Sequence, residues 1–578
     1  MYFDDILVIL GEFGRYQKIQ FVLVCLVAIP SSYFLQANTF MSASSDHYCK
    51  VYDNQKFHDT SPLKNCTIPY DAEDEAWDSC SRYDVNVSMG ISPELCSQNS
   101  GTLECDNGWV YDTSVYENTV VHEFDLVCEK DWMKQLSKSI VPLGNLVGGI
   151  VIGQLSDIFG RKPMFIFTLM TSIVVGVIAA FSPSYPFFII CQFLLGVVSI
   201  AVFLVAFVIV VELVGTSYRT DCSICTMLFA ASGLIVLGVC AALTDGNWRQ
   251  IQLIGGLLSV FFIPYIWLVP ESVRWLIQKE KYDKAERILN KAAKTNKVSL
   301  PEDMFKEERE MAAKAKEGNA DKISIDLHQV KKDTMLDLFK TPNLRNRTIN
   351  ICFNWFANSF VYYGIALNTD QLGTNPYITY LVYSAVEFPS YLLCWYLLDK
   401  VGRRWLLCSY MVFGGIALII SVPPDNVNIA TTFAMIGKFF IAGSFAIVYV
   451  FSAELYPTTV RNAGMGLAST WARVGSMVSP YVMLLIDVWY PMPYLMMGIT
   501  SIMAGLLALL LPETLKKNLP ETLEEGELFG TKYYQKEEKE NLSKQTVEME
   551  IQCDLDQTED NADHTPVDND GFVNKAFR

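Results

Sequence analysis

Charge is scarce in this chain of 578 residues: Asp, Glu, Lys and Arg make up 19% of it, where an ordinary soluble protein carries about 25%. Histidine is scarcer still, with five residues, all outside the long apolar runs, which excludes a His relay at membrane depth. No G-x-x-x-x-G-K-[ST] phosphate loop is present, so a machine driven by ATP hydrolysis is excluded. Nine of the 15 cysteines are scattered through apolar runs or the C-terminal tail without ligand spacing and give no support to a metal site. A basic segment is missing too. Residues 43–136 hold 18 acidic and 6 basic side chains and residues 512–578 hold 17 and 8, so within a net charge of −17 the rest of the chain is only +4. That excludes a nucleic-acid partner held by a basic face. With no catalytic constellation in view, the chain is expected to be a non-enzyme without a resident cofactor.

What the chain has is apolar length. Hydrophobic residues make up 51% of it and aromatics 13%, and its mean hydropathy is +0.24. About 20 helical residues cross the hydrocarbon core of a bilayer. Twelve runs reach that length, over 20–40, 137–157, 163–182, 186–213, 222–243, 250–269, 348–367, 377–398, 405–422, 429–452, 462–485 and 492–511. The first 20 residues carry Asp4, Asp5 and Glu12 and no basic leader before a small-residue cleavage site, so the first run is expected to be a retained anchor.

Lys and Arg concentrate in cytoplasmic loops. One set of alternating short loops carries Arg161, Lys162, Arg219, Lys400, Arg403, Arg404 and Arg461, and the opposite set carries only Arg249. This predicts cytoplasmic termini and an external loop 43–136. The same loop holds Cys49, Cys66, Cys80, Cys96, Cys105 and Cys128, an even number suited to three disulfides, with fifteen pairings open. It also holds the glycosylation patterns Asn65-Cys-Thr67 and Asn86-Val-Ser88.

The chain repeats itself at an offset of 242 residues. Asp157 in GQLSDIFGRK matches Asp399 in WYLLDKVGRR, Glu212 in ELVGTSYR matches Glu454 in ELYPTTVR, and Pro270-Glu271-Ser272 matches Pro512-Glu513-Thr514. Three coincidences at one spacing predict two parallel halves. The expected fold is therefore an all-α membrane protein of twelve transmembrane helices in two pseudo-symmetric six-helix bundles, residues 1–270 and 348–511, with the disulfide-rich loop outside. Linker helices over 271–347 would lie under the membrane, and the acidic tail 512–578 is expected to be largely disordered. The repeated charges Asp157, Arg161, Glu212, Arg219, Asp399, Arg403, Glu454 and Arg461 sit at predicted cytoplasmic helix ends. They are expected to act as gating latches that hold the bundles together on that face and release them in an inward-facing state.

The D-x-x-G-R-K/R loops resemble the signature of the major facilitator superfamily. The long cysteine-bearing loop, PESVRWL (Pro270 to Leu276), LFKTPNLRNRT (Leu338 to Thr348), AELYPTTVRN (Ala453 to Asn462) and the opening GEFGRYQ (Gly11 to Gln17) are similar to its organic cation, carnitine and organic anion transporters, over residues 1 to about 525. The resemblance implies a plasma-membrane carrier of small organic ions working by alternating access. Its energy would come from a gradient, by exchange or by co-transport of an ion such as Na+. Membrane lipid is its other expected contact, and no oligomer is assigned.

Specificity is expected where the repeat is broken. Glu387, Lys438 and Arg473 correspond to Asn145, Gly196 and Ala231 in the first half, and each is an ionisable residue inside an apolar run, a placement that costs roughly 3 kcal/mol or more and usually faces a cavity or a partner. Glu387 and Arg473 are candidates for pairing with each other in the empty state and separating around a ligand. Trp355, Tyr362, Tyr363 and Tyr449 offer ring faces to an ammonium, and Gln36 is a polar residue on the same expected pathway. Within the family resemblance, an Arg at position 473 is similar to the anion and carnitine branches, whereas Glu387 is similar to the cation and carnitine branches. The combination implies a zwitterion, carnitine-like or betaine-like. Organic anions, organic cations and a transport-dead receptor are the alternatives.

Overall fold

The structure is a computed structural model that describes residues 3–531 apart from 52–54, 59–63, 65–66, 72–75, 85–100, 216–217, 302–303, 307–308, 310–334, 368, 370–374, 423–426, 487 and 518. Asn65, Cys66, Asn86, Cys96 and the side chain of Arg219 lie outside the described set.

A helix stands at each of the twelve expected places. In chain order they are α1 (Arg15–Met41), α2 (Asp131–Phe159), α3 (Arg161–Ala180), α4 (Tyr185–Leu213), α5 (Arg219–Leu243) and α6 (Trp248–Leu268). The second set is α7 (Pro342–Ala366), α8 (Pro376–Val401), α9 (Arg403–Ile420), α10 (Val427–Leu455), α11 (Arg461–Val482) and α12 (Met492–Ala508). Among the described residues nine of these are long and apolar enough to cross a membrane, and α12 is apolar but shorter. The two that fall short in hydropathy, α7 and α11, are long enough; they carry Asn350, Asn354, Asn358 and Ser359, and Thr470, Arg473, Ser476 and Ser479. They pack on each other along their length, and Asn354, Asn358, Ser359, Ser476 and Ser479 are buried, so most of this polarity meets protein and cavity instead of lipid. Several helices also start earlier than the apolar runs, α2 at Asp131 and α7 at Pro342, because helix geometry persists where hydropathy has already fallen.

Three helices, α1, α6 and α8, are broken by proline, α6 at Val260, four residues ahead of Pro264. A proline removes the bond to the carbonyl four residues back. Pro30 accordingly ends the first segment of α1 at Leu26, and Pro389 ends the first segment of α8 at Ala385, so that Glu387 opens the second. The halves meet chiefly through α2 against α11 and α5 against α8. Adding 242 carries α2 onto α8 and α5 onto α11, so these two contacts are exchanged by the internal repeat.

The segment between α1 and α2 holds short antiparallel strand pairs, His47–Cys49 with Trp109–Tyr111 and Ser81–Tyr83 with Thr102–Glu104. Disulfides join Cys49 to Cys105 and Cys80 to Cys128. It docks on α6 through Glu123, which accepts from Trp248 Nε1 at 2.9 Å and Arg249 Nε at 3.1 Å. Arg249 also donates to the carbonyls of Ala180 at 2.7 Å and Ser182 at 3.0 Å, at the C-terminus of α3. The lone basic residue of its loop set is thus neutralised. Burial alone would raise the Glu123 pKa, but hydrogen bonds from Arg249, Trp248 and Asn118 hold it below the usual carboxylate range.

Candidate functional site

Between the halves lies a cavity of about 950 Å³ of empty space, part of it open to solvent. The first half contributes Ser31, Ser32 and Gln36 from α1, Asn145 from α2 and Ser199 from α4; the second contributes Tyr362 and Tyr363 from α7, Glu387 and Tyr391 from α8, Phe445 and Tyr449 from α10, and Arg473 and Ser476 from α11. Six of the eight expected substrate residues therefore line one space. The break in α8 at Val386 lets Glu387 turn into it. The side chain of Gln36 is part of the wall, accepting from the Tyr380 hydroxyl at 2.8 Å and lying 3.5 Å from that of Tyr362.

Two expectations need correction. Lys438 does not face the cavity: it is fully buried behind Glu387, with Nζ 2.6 Å from Glu387 Oε1 and 2.7 Å from the Tyr383 hydroxyl. Trp355 is likewise fully buried. Its Nε1 donates to Ser452 Oγ at 2.9 Å, and the Tyr449 ring packs edge-on against it at 4.3 Å. Trp355 shares the face of Tyr362 and Tyr363 but sits seven residues before Tyr362, about 10 Å along the axis, packed behind Tyr449, which lines the cavity.

The expected pairing of Glu387 with Arg473 is also replaced. Besides Lys438, Glu387 accepts from the hydroxyls of Tyr362 at 2.6 Å and Tyr391 at 3.2 Å. Arg473 donates to the Ser469 carbonyl at 3.3 Å, and no carboxylate among the described residues pairs with it. Lys438 and Glu387 cancel, and Arg473 remains as the uncompensated charge on the cavity wall.

Sequence reasoning missed the cavity roles of Tyr391, Phe445, Asn145 and Ser199. Tyr391 was within reach, because it follows Glu387 by four residues on one helix and so shares its face. Asn145 is the repeat equivalent of Glu387. Among the described residues its Oδ1 and the Ser199 hydroxyl are buried without a hydrogen-bond partner, and both residues line the cavity.

At the end of the molecule opposite the disulfide loop, the repeated charges form two matching clusters. Arg161 pairs with Asp157 and lies 3.5 Å from Glu212; Arg403 pairs with Asp399 at 3.1 Å and with Glu454 at 3.1 Å. Among the described residues the ion pairs of each cluster stay within its own half. Arg461 donates to the Tyr456 carbonyl at 3.3 Å. The Pro-Glu pairs of the repeat have a place here that the sequence did not reveal. Glu271 accepts from the backbone N–H groups of Arg161 and Lys162 at 2.9 and 3.0 Å, and Glu513 from those of Arg403 and Arg404 at 2.9 and 3.1 Å. Each satisfies the otherwise unpaired donors that open α3 and α9. The preceding Gly160 and Gly402 take φ of +114° and +94°, and a Cβ at either would lie 2.6 or 2.7 Å from that carboxylate.

Among the described residues most hydrogen bonds between the halves lie at the loop end, with one at the other end, from Trp395 Nε1 of α8 to Asp221 Oδ1 of α5 at 3.0 Å. Lys138 Nζ donates to the Leu367 carbonyl at 2.8 Å, Ser139 Oγ to that of Met477 at 3.0 Å and Thr39 Oγ1 to that of Ala366 at 3.4 Å. The cavity is roofed on that side, while the Asp157 and Asp399 side chains at the other end are 69% and 73% exposed.

Known proteins resemble the chain along most of its length. The family model described as "Sugar (and other) transporter" matches residues 82–525. The chain is 40% identical to the "Organic cation transporter protein" of Drosophila melanogaster, over 92% of this chain and 96% of that protein. It is 33% identical to the human "Organic cation/carnitine transporter 2", over 90% and 93%. Among solved structures, the xylose transporter from E. coli in its inward open conformation matches with a TM-score of 0.54 at 14% identity, covering 88% of this chain and 98% of that one. At that identity the likeness is one of fold, the major facilitator fold.

Proposed function

The chain belongs to the Sugar (and other) transporter family, within the major facilitator superfamily, and from that premise we propose that it carries small organic ions across the plasma membrane by alternating access, with zwitterions of the carnitine or betaine type as its substrates. Both termini lie in the cytoplasm in this proposal, and the disulfide-bonded loop, glycosylated at Asn65 or Asn86, lies outside. Relatives named for organic cations and for carnitine support the substrate class. The observation that carries the proposal is Arg473, a cation on the cavity wall without a carboxylate partner among the described residues. In a low-dielectric cavity such a charge attracts a substrate carboxylate, and the fixed guanidinium can bind it through two parallel hydrogen bonds. The rings of Tyr362, Tyr363, Phe445 and Tyr449 line the same space and suit a quaternary nitrogen.

The conformation fits an inward-facing carrier. The roof of hydrogen bonds at the loop end closes the outside, whereas the ion pairs of the charge clusters are each confined to one half and, among the described residues, the hydrogen bond from Trp395 to Asp221 is what bridges the halves at the cytoplasmic end. The return to the outward-facing state would bring those clusters against the opposite half, which gives Asp157, Arg161, Glu212, Arg219, Asp399, Arg403, Glu454 and Arg461 their gating role. Plain organic anions are the second reading, and one observation favours it: with Glu387 held by Lys438, the cavity wall keeps a net positive charge. Uptake of labelled trimethylglycine, benzoate and tetramethylammonium by cells expressing the chain tests both readings. Saturable trimethylglycine uptake supports the zwitterion; benzoate uptake without it supports the anion; no uptake of any probe counts against both.

A further inference from the structure

The place expected for a substrate ammonium is already occupied, and by the chain itself. Lys438 Nζ touches Glu387 at 2.6 Å, sits 3.3 Å from the centroid of the Tyr362 ring and 4.0 Å from that of Tyr383, and donates to the Tyr383 hydroxyl at 2.7 Å. A carboxylate flanked by aromatic faces is what recognises an organic ammonium. Lys438 approaches this group from α10, behind the wall, while Glu387, Tyr362 and Tyr391 line the cavity from the front. One carboxylate is thus shared between the protein's own ammonium on one side and the ligand space on the other.

We infer that Lys438 is a tethered competitor for the ammonium subsite and sets the selectivity between plain carboxylates and ammonium-bearing ligands. This rests on the cavity being the substrate site. While Lys438 holds Glu387, Arg473 is the uncompensated charge and the site favours carboxylates; a zwitterion must share Glu387 with the lysine. Without the lysine ammonium, Glu387 is released to the cavity and the site carries one charge of each sign. The repeat argues that the lysine is no requirement of the scaffold. Its equivalent in the first half is Gly196, where a Cβ would lie 2.4 Å from the Val141 carbonyl, so that position packs backbone to backbone without any side chain.

The test measures uptake of labelled benzoate, trimethylglycine and tetramethylammonium by the full chain and its variants in proteoliposomes, normalised to the amount of inserted protein. Lys438→Met should raise the ratio of trimethylglycine and tetramethylammonium uptake to benzoate uptake at least tenfold. Lys438→Arg, which keeps the charge, should leave the ratio near that of the parent. The gain should vanish in Glu387→Gln/Lys438→Met, since it requires the released carboxylate. Should Lys438→Met fail to insert, Lys438→Gln, which keeps a hydrogen-bond donor for Glu387 without the charge, carries the test with the same outcomes. An unchanged ratio in the neutral variants, or a gain that persists without Glu387, overturns the inference. Arg473→Ala in the same assay separates the two levels. If it spares benzoate uptake, the cavity is not the substrate site. If it abolishes benzoate uptake while the Lys438 variants leave the ratio unchanged, only the role of the lysine falls.

Discussion

The two halves are one device built twice at the end that carries the charge clusters, and two different devices at the cavity. Asp157, Gly160, Arg161, Glu212 and Glu271 recur 242 residues later as Asp399, Gly402, Arg403, Glu454 and Glu513, with the same ion pairs, the same positive φ and the same carboxylate over the next helix N-terminus. At the cavity, Glu387, Lys438 and Arg473 stand opposite Asn145, Gly196 and Ala231. Motion has to be shared by both halves, so its parts repeat. Recognition of an asymmetric ligand, as proposed here, does not, and charge at membrane depth is costly; the three charges at the cavity are confined to one half, where the Lys438–Glu387 pair offsets part of that cost.

The sharpest way to break this comparison is at the cavity. Arg473→Ala should abolish uptake of carboxylate-bearing substrates, since a charge-assisted contact in a desolvated site is worth roughly 2 to 5 kcal/mol, about 30-fold to several thousand-fold in affinity. Concentration dependence of trimethylglycine uptake reads it; near-parental uptake would place the carboxylate elsewhere.

The next difference belongs to the first half alone, because the long disulfide-bearing loop has no counterpart between α7 and α8. There His122 lies beside His47, its Nε2 3.0 Å from Ser45 Oγ and its ring stacked on Tyr111. Burial, with the neighbouring His47, pushes the His122 pKa down to about 4, and burial lowers that of His47 too. A His whose folded pKa is depressed stabilises the fold above its unfolded value and loses that contribution as pH falls. The loop should therefore be fully stable above about pH 6.5 and lose on the order of 2 to 3 kcal/mol by pH 4. Proteolysis or hydrogen exchange of the loop against pH measures this; His122→Phe should flatten the profile, and a pH-independent loop would contradict it.

Two smaller effects test whether the repeated parts are truly equivalent. Glu271→Gln and Glu513→Gln each replace a charge-assisted cap by a neutral one, a loss of about 1 to 2 kcal/mol. Because these carboxylates hold the loops to which a gating role is proposed and do not line the cavity, maximal rate should fall more than KM rises, and by similar factors in the two variants. The same split is expected for Asp157→Asn and Arg403→Ala. A rise in KM at unchanged maximal rate would argue against gating, and a defect in one half only would break the equivalence. Smallest, Gly160→Ala and Gly402→Ala should each destabilise by about 1 to 2 kcal/mol from the positive φ, read as a matched drop in melting temperature.

Much of this was legible in the sequence, for identifiable reasons. Apolar length and a repeat at one offset are properties of the chain itself, and both carry over into the twelve helices. Ionisable residues in apolar runs led to Glu387 and Arg473 because so few reasons exist to put them there. What stayed hidden was depth and partner. Trp355 shares its helix face with Tyr362, so periodicity could not separate a residue behind the wall from a wall residue. Lys438 and Arg473 are both lone cations in apolar runs, and only the packing of α10 behind α8 makes one the partner of Glu387 and leaves the other facing the cavity. The polar helices α7 and α11 likewise fall short on hydropathy because they line the space that matters.

The disulfide loop touches both halves. The Tyr377 hydroxyl of α8 donates to the Val115 carbonyl at 2.7 Å and its ring meets Tyr116, while Cys128, bonded to Cys80, lies just ahead of α2. Opening on that side must part Tyr377 from Val115 while α2 carries the loop with it. Under the proposed topology the loop is therefore a handle on the transport cycle, placed in the extracellular space. An antibody fragment clamped across it and the α8 end would arrest turnover without competing with substrate, offering pharmacology a route that leaves the crowded cavity untouched.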